Sequence, residues 1–132
     1  MTILHADDDK DDREMLSEAL EQIDPTISCI GAHDGKEVLA ILQQNKTLPD
    51  YIFLDVNMPV MDGKKCLREL KKNSKLKNIP VVIYSTTTNM EEILHLYELG
   101  ASEFMAKANS FGELCISLNG IIAKLKSHRI SA

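Results

Sequence analysis

Short apolar runs alternate with longer amphipathic segments along the whole chain, and no other feature of the sequence restricts its fold so tightly. The short runs predict strands at 3–6, 27–32, 51–54, 81–85 and 103–106. The longer segments predict helices at 11–23, 35–45, 63–73, 90–99 and 111–126. Within the first of them Met15, Leu16, Ala19, Leu20 and Ile23 recur at the three-to-four spacing of one buried stripe. Pro25, Pro49 and Pro80 stand shortly before predicted strands, and Gly100 follows the fourth predicted helix as a stop. Strands that are apolar throughout, each followed by a helix, belong to a parallel sheet covered on both faces.

A five-fold alternation of this length predicts a doubly wound α/β fold of the flavodoxin-like kind, with five strands in the order 2-1-3-4-5 and five helices. At 132 residues there is room for one core, so residues 1–132 are expected to form one domain holding the whole function. Such sheets carry their ligand site outside the carboxyl ends of the strands, here around the first and third.

Composition removes several classes of function. A formal charge of -5 with no Trp disfavours nucleic acid and anionic membrane surfaces as partners. The basic stretch 64–77, with six Lys and one Arg, interleaves its charges with apolar residues at helical spacing and reads as a solvated helix face. Cys29, Cys66 and Cys115 are odd in number and lack C-x-x-C spacing, which indicates reduced thiols rather than a disulfide framework or zinc site. With no signal peptide and no apolar run of spanning length, a cytoplasmic location is expected. His33, His95 and His128 read as surface residues and His5 as a strand residue near the core, without metal-ligand spacing among them.

The chemistry lies in acids. The predicted first strand leads into Asp7, Asp8 and Asp9, and the third ends on Asp55, so the fold gathers at least three carboxylates at one edge. Two carboxylates about 4 to 5 Å apart repel by roughly 3 to 4 kcal/mol at an effective dielectric near 20. Raised pKa values or a bound cation must compensate, and a hard ion taking oxygen ligands, Mg²⁺ with Mn²⁺ as substitute, answers that need. Asp9, Asp11 and Asp12 are explained without a metal, as acids at the start of a helix.

The segment Asp55-Val56-Asn57-Met58-Pro59-Val60-Met61-Asp62-Gly63 resembles the signature around the phosphorylated aspartate of response regulator receiver domains. The pair Asp7-Asp8, the Ser85-Thr86 step and Lys107 match the family's other site positions, and the resemblance covers essentially the whole chain. Leu48-Pro49-Asp50, Leu76-Lys77-Asn78-Ile79-Pro80 and Tyr97-Glu98-Leu99-Gly100-Ala101 further resemble stand-alone regulators of the phytochrome-associated kind. The resemblance implies a two-component signalling switch rather than a turnover enzyme. Asp55 would accept a phosphoryl group from phosphohistidine, with Mg²⁺ held by Asp8, Asp55 and the carbonyl of Asn57, and Asp7 acting through water. Lys107 would cover one phosphoryl oxygen and Thr86 another, with Ser85 or Thr87 as register alternatives. Asn57 and Thr87 would tune attack by water. Phe104 would either swing inward behind the threonine or serve as a core aromatic.

The implied partners are a histidine kinase or histidine phosphotransfer protein as donor and a downstream protein that reads the face of the fourth helix, fifth strand and fifth helix. Few residues follow the fifth helix, so no output module is expected within the chain, and homodimerisation through the last helices stays open. Met58 and Met61 read as adaptable packing or partner contacts. One departure stands out: the family follows its lysine with a cis proline, whereas Lys107 precedes Ala108, where a cis bond would cost about 2.5 to 4 kcal/mol.

Three rivals are weaker. A flavin carrier needs a donor-rich loop where this chain has aspartates. An aspartyl phosphohydrolase places a second Asp where this chain has Asn57 and requires a cap. A receiver that binds partners without phosphorylation would not need the complete set of acids, hydroxyl and lysine.

Overall fold

The computed structural model describes residues 1–44 and 47–131, with only the backbone of 128–131. Five parallel strands, β1 (Thr2–Ala6), β2 (Ser28–Ala32), β3 (Tyr51–Leu54), β4 (Val81–Ser85) and β5 (Glu103–Ala106), form one sheet in the order β2-β1-β3-β4-β5. The predicted flavodoxin-like order is therefore the observed one. Five helices alternate with them: α1 (Lys10–Ile23), α2 (Gly35–Gln44), α3 (Gly63–Lys72), α4 (Met90–Glu98) and α5 (Phe111–Ser131).

Helix starts follow from side chains that satisfy free amides. Asp9 caps α1 by accepting from the amides of Asp11 and Asp12, Asp62 caps α3 through Lys65, and Asn89 caps α4 through Glu92. Gly100 closes the turn after α4 at φ 112°, a conformation that only glycine adopts freely. Observed bounds differ from expectation by one residue at the starts of β1, α1 and β2 and at the ends of α3 and α4, while α5 continues to Ser131 because no proline or glycine follows Lys126 to stop it. The predicted end of α2 at Asn45 and the side chain of His128 lie outside the described residues.

Alternation along the strands sends side chains to two separate cores. Ile3, Tyr51, Phe53, Val82 and Met105 pack with Leu16, Ala19, Leu20, Leu114, Leu118 and Ile122 of α1 and α5. Leu4, Ala6, Ile52, Leu54 and Ile83 pack with Val38, Leu67, Leu70 and Leu96 of α2, α3 and α4. Each fully buried leucine contributes about 1.5 to 3 kcal/mol by leaving water. All four residues of β3 are 0% exposed, which anchors the strand that ends at Asp55. Met58 is buried in the second core and Met61 packs against it, so both methionines serve packing. Among the described residues, no helix is long and apolar enough to cross a membrane.

Candidate functional site

The sheet ends fix the site. Asp7 follows β1, its amide donating to Ala32 O at 3.0 Å, and Asp55 follows β3, its amide donating to Ala6 O at 2.9 Å. Both acids are thus held by sheet hydrogen bonds one step beyond their strands. Carboxylate oxygens of Asp7, Asp8 and Asp55 lie within 4.8 Å of one another, the juxtaposition expected from the sequence. Asp7 is 0% exposed and Asp55 5%, whereas Asp8 faces solvent. An open acid beside two buried ones leaves the cluster accessible from one side.

Lys107, one residue past β5, supplies the compensating charge. Its ammonium donates to Asp7 Oδ2 at 2.8 Å and to Asp12 Oδ2 at 2.9 Å, and lies 3.6 Å from Asp55 Oδ2. Burial disfavours that charge, but the bonds to Asp7 and Asp12 outweigh it and raise the lysine's pKa. The ammonium also lies 5.5 Å from the centre of the Tyr84 ring. The Lys107-Ala108 peptide is trans, since the described residues contain no cis bond.

Burial raises the pKa of Asp55 to about 6; the charge of Lys107 pulls the other way and that of Asp7 adds to the rise. Asp7 is raised too, by burial against the pull of its bond to Lys107. Burial thus disfavours both carboxylates, and the lysine between them offsets it only in part. Arg13 Nη1 donates to Asp7 O at 2.7 Å, and the Asp9 amide donates to Asp7 Oδ1 at 3.0 Å, so the loop after β1 is held from both sides.

The expected hydroxyls separate clearly. Ser85 is buried at the end of β4, its Oγ accepting from the Thr87 amide at 3.2 Å, while Thr86 is exposed. Thr87 turns toward α4, donating to Glu92 Oε2 at 3.3 Å. Asn57 is exposed on the loop after β3, and Phe104 is partly buried against the core beneath α4.

Sequence reasoning assigned Asp12 to the start of the helix alone, and the structure corrects this by placing its carboxylate on Lys107. The signal available was topological: α1 and α5 share a face, so the first turn of α1 lies beside the loop that precedes α5. His5 is fully buried as expected, but neither ring nitrogen has a hydrogen-bond partner, and Nε2 lies 3.8 Å from Asp7 Oδ2. Burial, with Lys107 and Arg13 adding to it, lowers its pKa to about 3, so the ring is neutral.

The defining pattern of the response regulator receiver domain matches residues 3–119. The chain belongs to this family. It is 34% identical to the response regulator Rcp1 of Synechocystis over 90% of its own length and 84% of that protein's. Its fold superposes on the phosphorylated cyanobacterial phytochrome response regulator RcpA with a TM-score of 0.84 at 34% identity, covering 91% of this chain and 89% of the other. The Mn²⁺-bound form of Rcp1 gives 0.80 at 33% identity, with 91% and 90% covered. Several longer relatives, protein-glutamate methylesterases among them, match only across 13% to 34% of their length. The chain is therefore a two-component receiver with the likeness to phytochrome-associated regulators expected from its sequence, and receivers act as signalling switches rather than turnover enzymes.

Proposed function

We propose that this receiver is a Mg²⁺-dependent phosphoacceptor in which Asp55 takes a phosphoryl group from a phosphohistidine. The observation carrying this reading is the cluster of Asp7, Asp8 and Asp55 oxygens within 4.8 Å, bridged by the Lys107 ammonium. The donor set is all oxygen, carries three carboxyls and is partly open, which fits a hard divalent ion. Asp7, Asp8, Asp55 and the main chain of Asn57 are the residues that would hold it. Bound there, Mg²⁺ would neutralise charge developing on the phosphoryl oxygens.

The chain's own groups do the rest. An Asp55 carboxylate oxygen forms the bond to phosphorus as the bond from phosphorus to the donor's imidazole nitrogen breaks, and the imidazole leaves with the electron pair. Lys107 moves from its carboxylate partners to a phosphoryl oxygen. Of the hydroxyls, Ser85 suits the next oxygen better than Thr86, because β4 ends on Ser85 and buries it at the edge that carries the acids. Its movement would loosen the hydrogen bond donated by the Thr87 amide and reset the start of α4. Phe104, paired with Ile83 and half-buried, lies where that change would be felt. Met90, Leu94 and Tyr97 are exposed along one side of α4 and offer an apolar surface to a protein partner. A histidine kinase or phosphotransfer protein is the implied donor, and the whole chain works as one receiver unit.

Intact-mass measurement after incubation with acetyl phosphate and Mg²⁺ tests this. The expected result is a gain of about 80 Da, lost in Asp55→Ala and with chelator. Ser85→Ala should slow the gain about 10-fold or more and Thr86→Ala much less. No adduct despite measured Mg²⁺ binding would turn the reading toward a module that binds partners without phosphorylation.

A further inference from the structure

The sheet encloses one polar side chain that neither packing nor hydrogen bonding accounts for. His5 is 0% exposed, and neither of its ring nitrogens has a hydrogen-bond partner among the described residues. Burying an imidazole unpaired costs stability, and Ile3, two residues earlier, fills the same face of β1 with an apolar side chain. Asp7 stands two residues later, also fully buried, and its two carboxylate oxygens have different donors. Oδ1 accepts from the Asp9 amide at 3.0 Å, whereas Oδ2 accepts from the Lys107 ammonium at 2.8 Å. His5 Nε2 lies 3.8 Å from that same Oδ2, too far for a hydrogen bond, and a shift of about 1 Å would close one. The Tyr84 ring, centred 6.0 Å from the ring of His5 and 5.5 Å from the Lys107 nitrogen, flanks both donors.

We propose that His5 is a positioning residue that takes over Asp7 Oδ2 when Lys107 leaves it, an inference that rests on Asp55 being the phosphoacceptor. Once the lysine turns to a phosphoryl oxygen, Asp7 Oδ2 loses its donor, and a buried carboxylate oxygen left bare opposes the step. A neutral imidazole carries one N–H, so the ring supplies a replacement without any change of charge. No proton is transferred; one donor is exchanged for another on the same oxygen. At rest the ammonium makes the stronger, charge-assisted bond and the imidazole stands unpaired beside it. With the lysine withdrawn, Nε2–H closes onto Oδ2 and Asp7 keeps its place next to Asp8 and Asp55. The unfavourable burial of His5 at rest is thereby relieved in the phosphorylated protein, which narrows the gap between the two states. An apolar residue in its place would make the resting state more stable and the departure of the lysine harder.

A spectroscopic and a kinetic measurement on the whole chain test this. In isotope-labelled protein with Mg²⁺, the His5 ring N–H resonance is identified by its absence from His5→Leu or His5→Gln. Adding beryllium fluoride, a stable mimic of the phosphoryl group on Asp55, should move it downfield and slow its exchange with solvent. In the kinetic arm, His5→Leu should melt at or above the wild-type temperature yet take phosphate from acetyl phosphate about 10-fold more slowly. His5→Gln, whose amide N–H reaches as far along the side chain as Nε2, should stay within about three-fold of wild type. A His5 resonance that does not move, in a wild type that acetyl phosphate labels, would overturn the proposal, as would His5→Leu labelling at the wild-type rate. Equal slowing in His5→Leu and His5→Gln would overturn it too, since packing rather than the N–H would then be at work. The wild-type spectrum decides the matter even if His5→Leu does not fold. A wild type that acetyl phosphate fails to label would instead remove the phosphoacceptor reading, and this inference with it.

Discussion

Lys107 donates a 2.9 Å hydrogen bond to Asp12 across 95 positions of sequence, tying the loop after β5 to the first turn of α1. Asp12 lies outside the cluster of three aspartates, so this bond restrains the ammonium without contributing an oxygen to that cluster. Asp12→Asn should therefore weaken the restraint while leaving the three acids in place. The pair is partly exposed, and a loss of about 0.5 to 1 kcal/mol in stability is expected. Labelling of Asp55 by acetyl phosphate should accelerate about 2- to 5-fold, since less is lost when the lysine moves. Urea titrations and initial labelling rates measure the two effects.

Removal of the lysine itself should be far more damaging. Lys107→Met leaves fully buried Asp7 without its cationic partner, a situation that typically costs about 3 to 5 kcal/mol. Chemical denaturation in chelator at pH 8 should show a loss of that order. At pH 5 the loss should shrink, because without the ammonium the Asp7 and Asp55 carboxyls hold protons more readily. An equal loss at both pH values would mean that the lysine acts through packing alone.

His5 and Asp55 should oppose one another in acid. The folded pKa of His5 is lowered from 6.5 to about 3, so the unfolded chain binds more protons over that interval and stability falls as pH drops below 6.5. The folded pKa of Asp55 is raised from 3.8 to about 6, so the folded chain binds more protons between those values and stability rises as pH drops below 6. Asp7 is shifted in the same direction as Asp55. Each slope is about 1.4 kcal/mol per pH unit at most. With Asp55 and Asp7 both opposing His5, Asp55→Asn should lose stability relative to metal-free wild type as pH falls from 6 to 4. Thermal melts in chelator at half-unit steps would measure the difference, and parallel curves would refute the raised pKa of Asp55.

Gly63 tests how closely the site depends on its support. An added Cβ would lie 2.3 Å from Asp55 O and 2.7 Å from Val56 Cα, contacts with main chain that cannot turn aside. Gly63→Ala is expected to destabilise the fold by about 2 kcal/mol or more and to slow labelling of whatever remains folded. Gly112→Ala, where a Cβ meets nothing within 4 Å, is the control and should be neutral or mildly stabilising.

The sheet was legible because its signal is local. Four apolar residues in a row at Tyr51–Leu54, too short for a helix and preceded by Pro49 and Asp50, favour a strand buried on both faces, and the amphipathic stripe of α1 favours a helix packed on one side. Asp7, Asp8 and Asp55 followed from topology, since parallel strands must place their carboxyl ends along one edge. The bond between Asp12 and Lys107 was missed because an acid at a helix start already has a sufficient local explanation, and pairing over such a distance leaves no mark in one sequence. The choice among Ser85, Thr86 and Thr87 was not legible for a related reason: where a strand ends within a run of hydroxyl residues is decided by its neighbour, and here Ser85 pairs with Ala106 and closes β4. The φ of 69° at Val60 was hidden as well, because a β-branched residue gives no local sign of a positive φ.

The burial of β3 has a mechanical meaning. With four residues of the strand sealed between β1 and β4, Asp55 is mounted on the stiffest part of the molecule and has nowhere to go when its charge changes. At the far edge β5 keeps only Met105 fully inside, leaving Glu103 and Phe104 half-covered and Ala106 in water. The opposite edge is loose as well, since β2 is buried only at Ala32, so the strand that carries Asp55 is a firm centre between two softer margins. Of those margins β5 is the one whose end carries Lys107, so a shift of that lysine would be taken up where the sheet yields rather than where it is fixed.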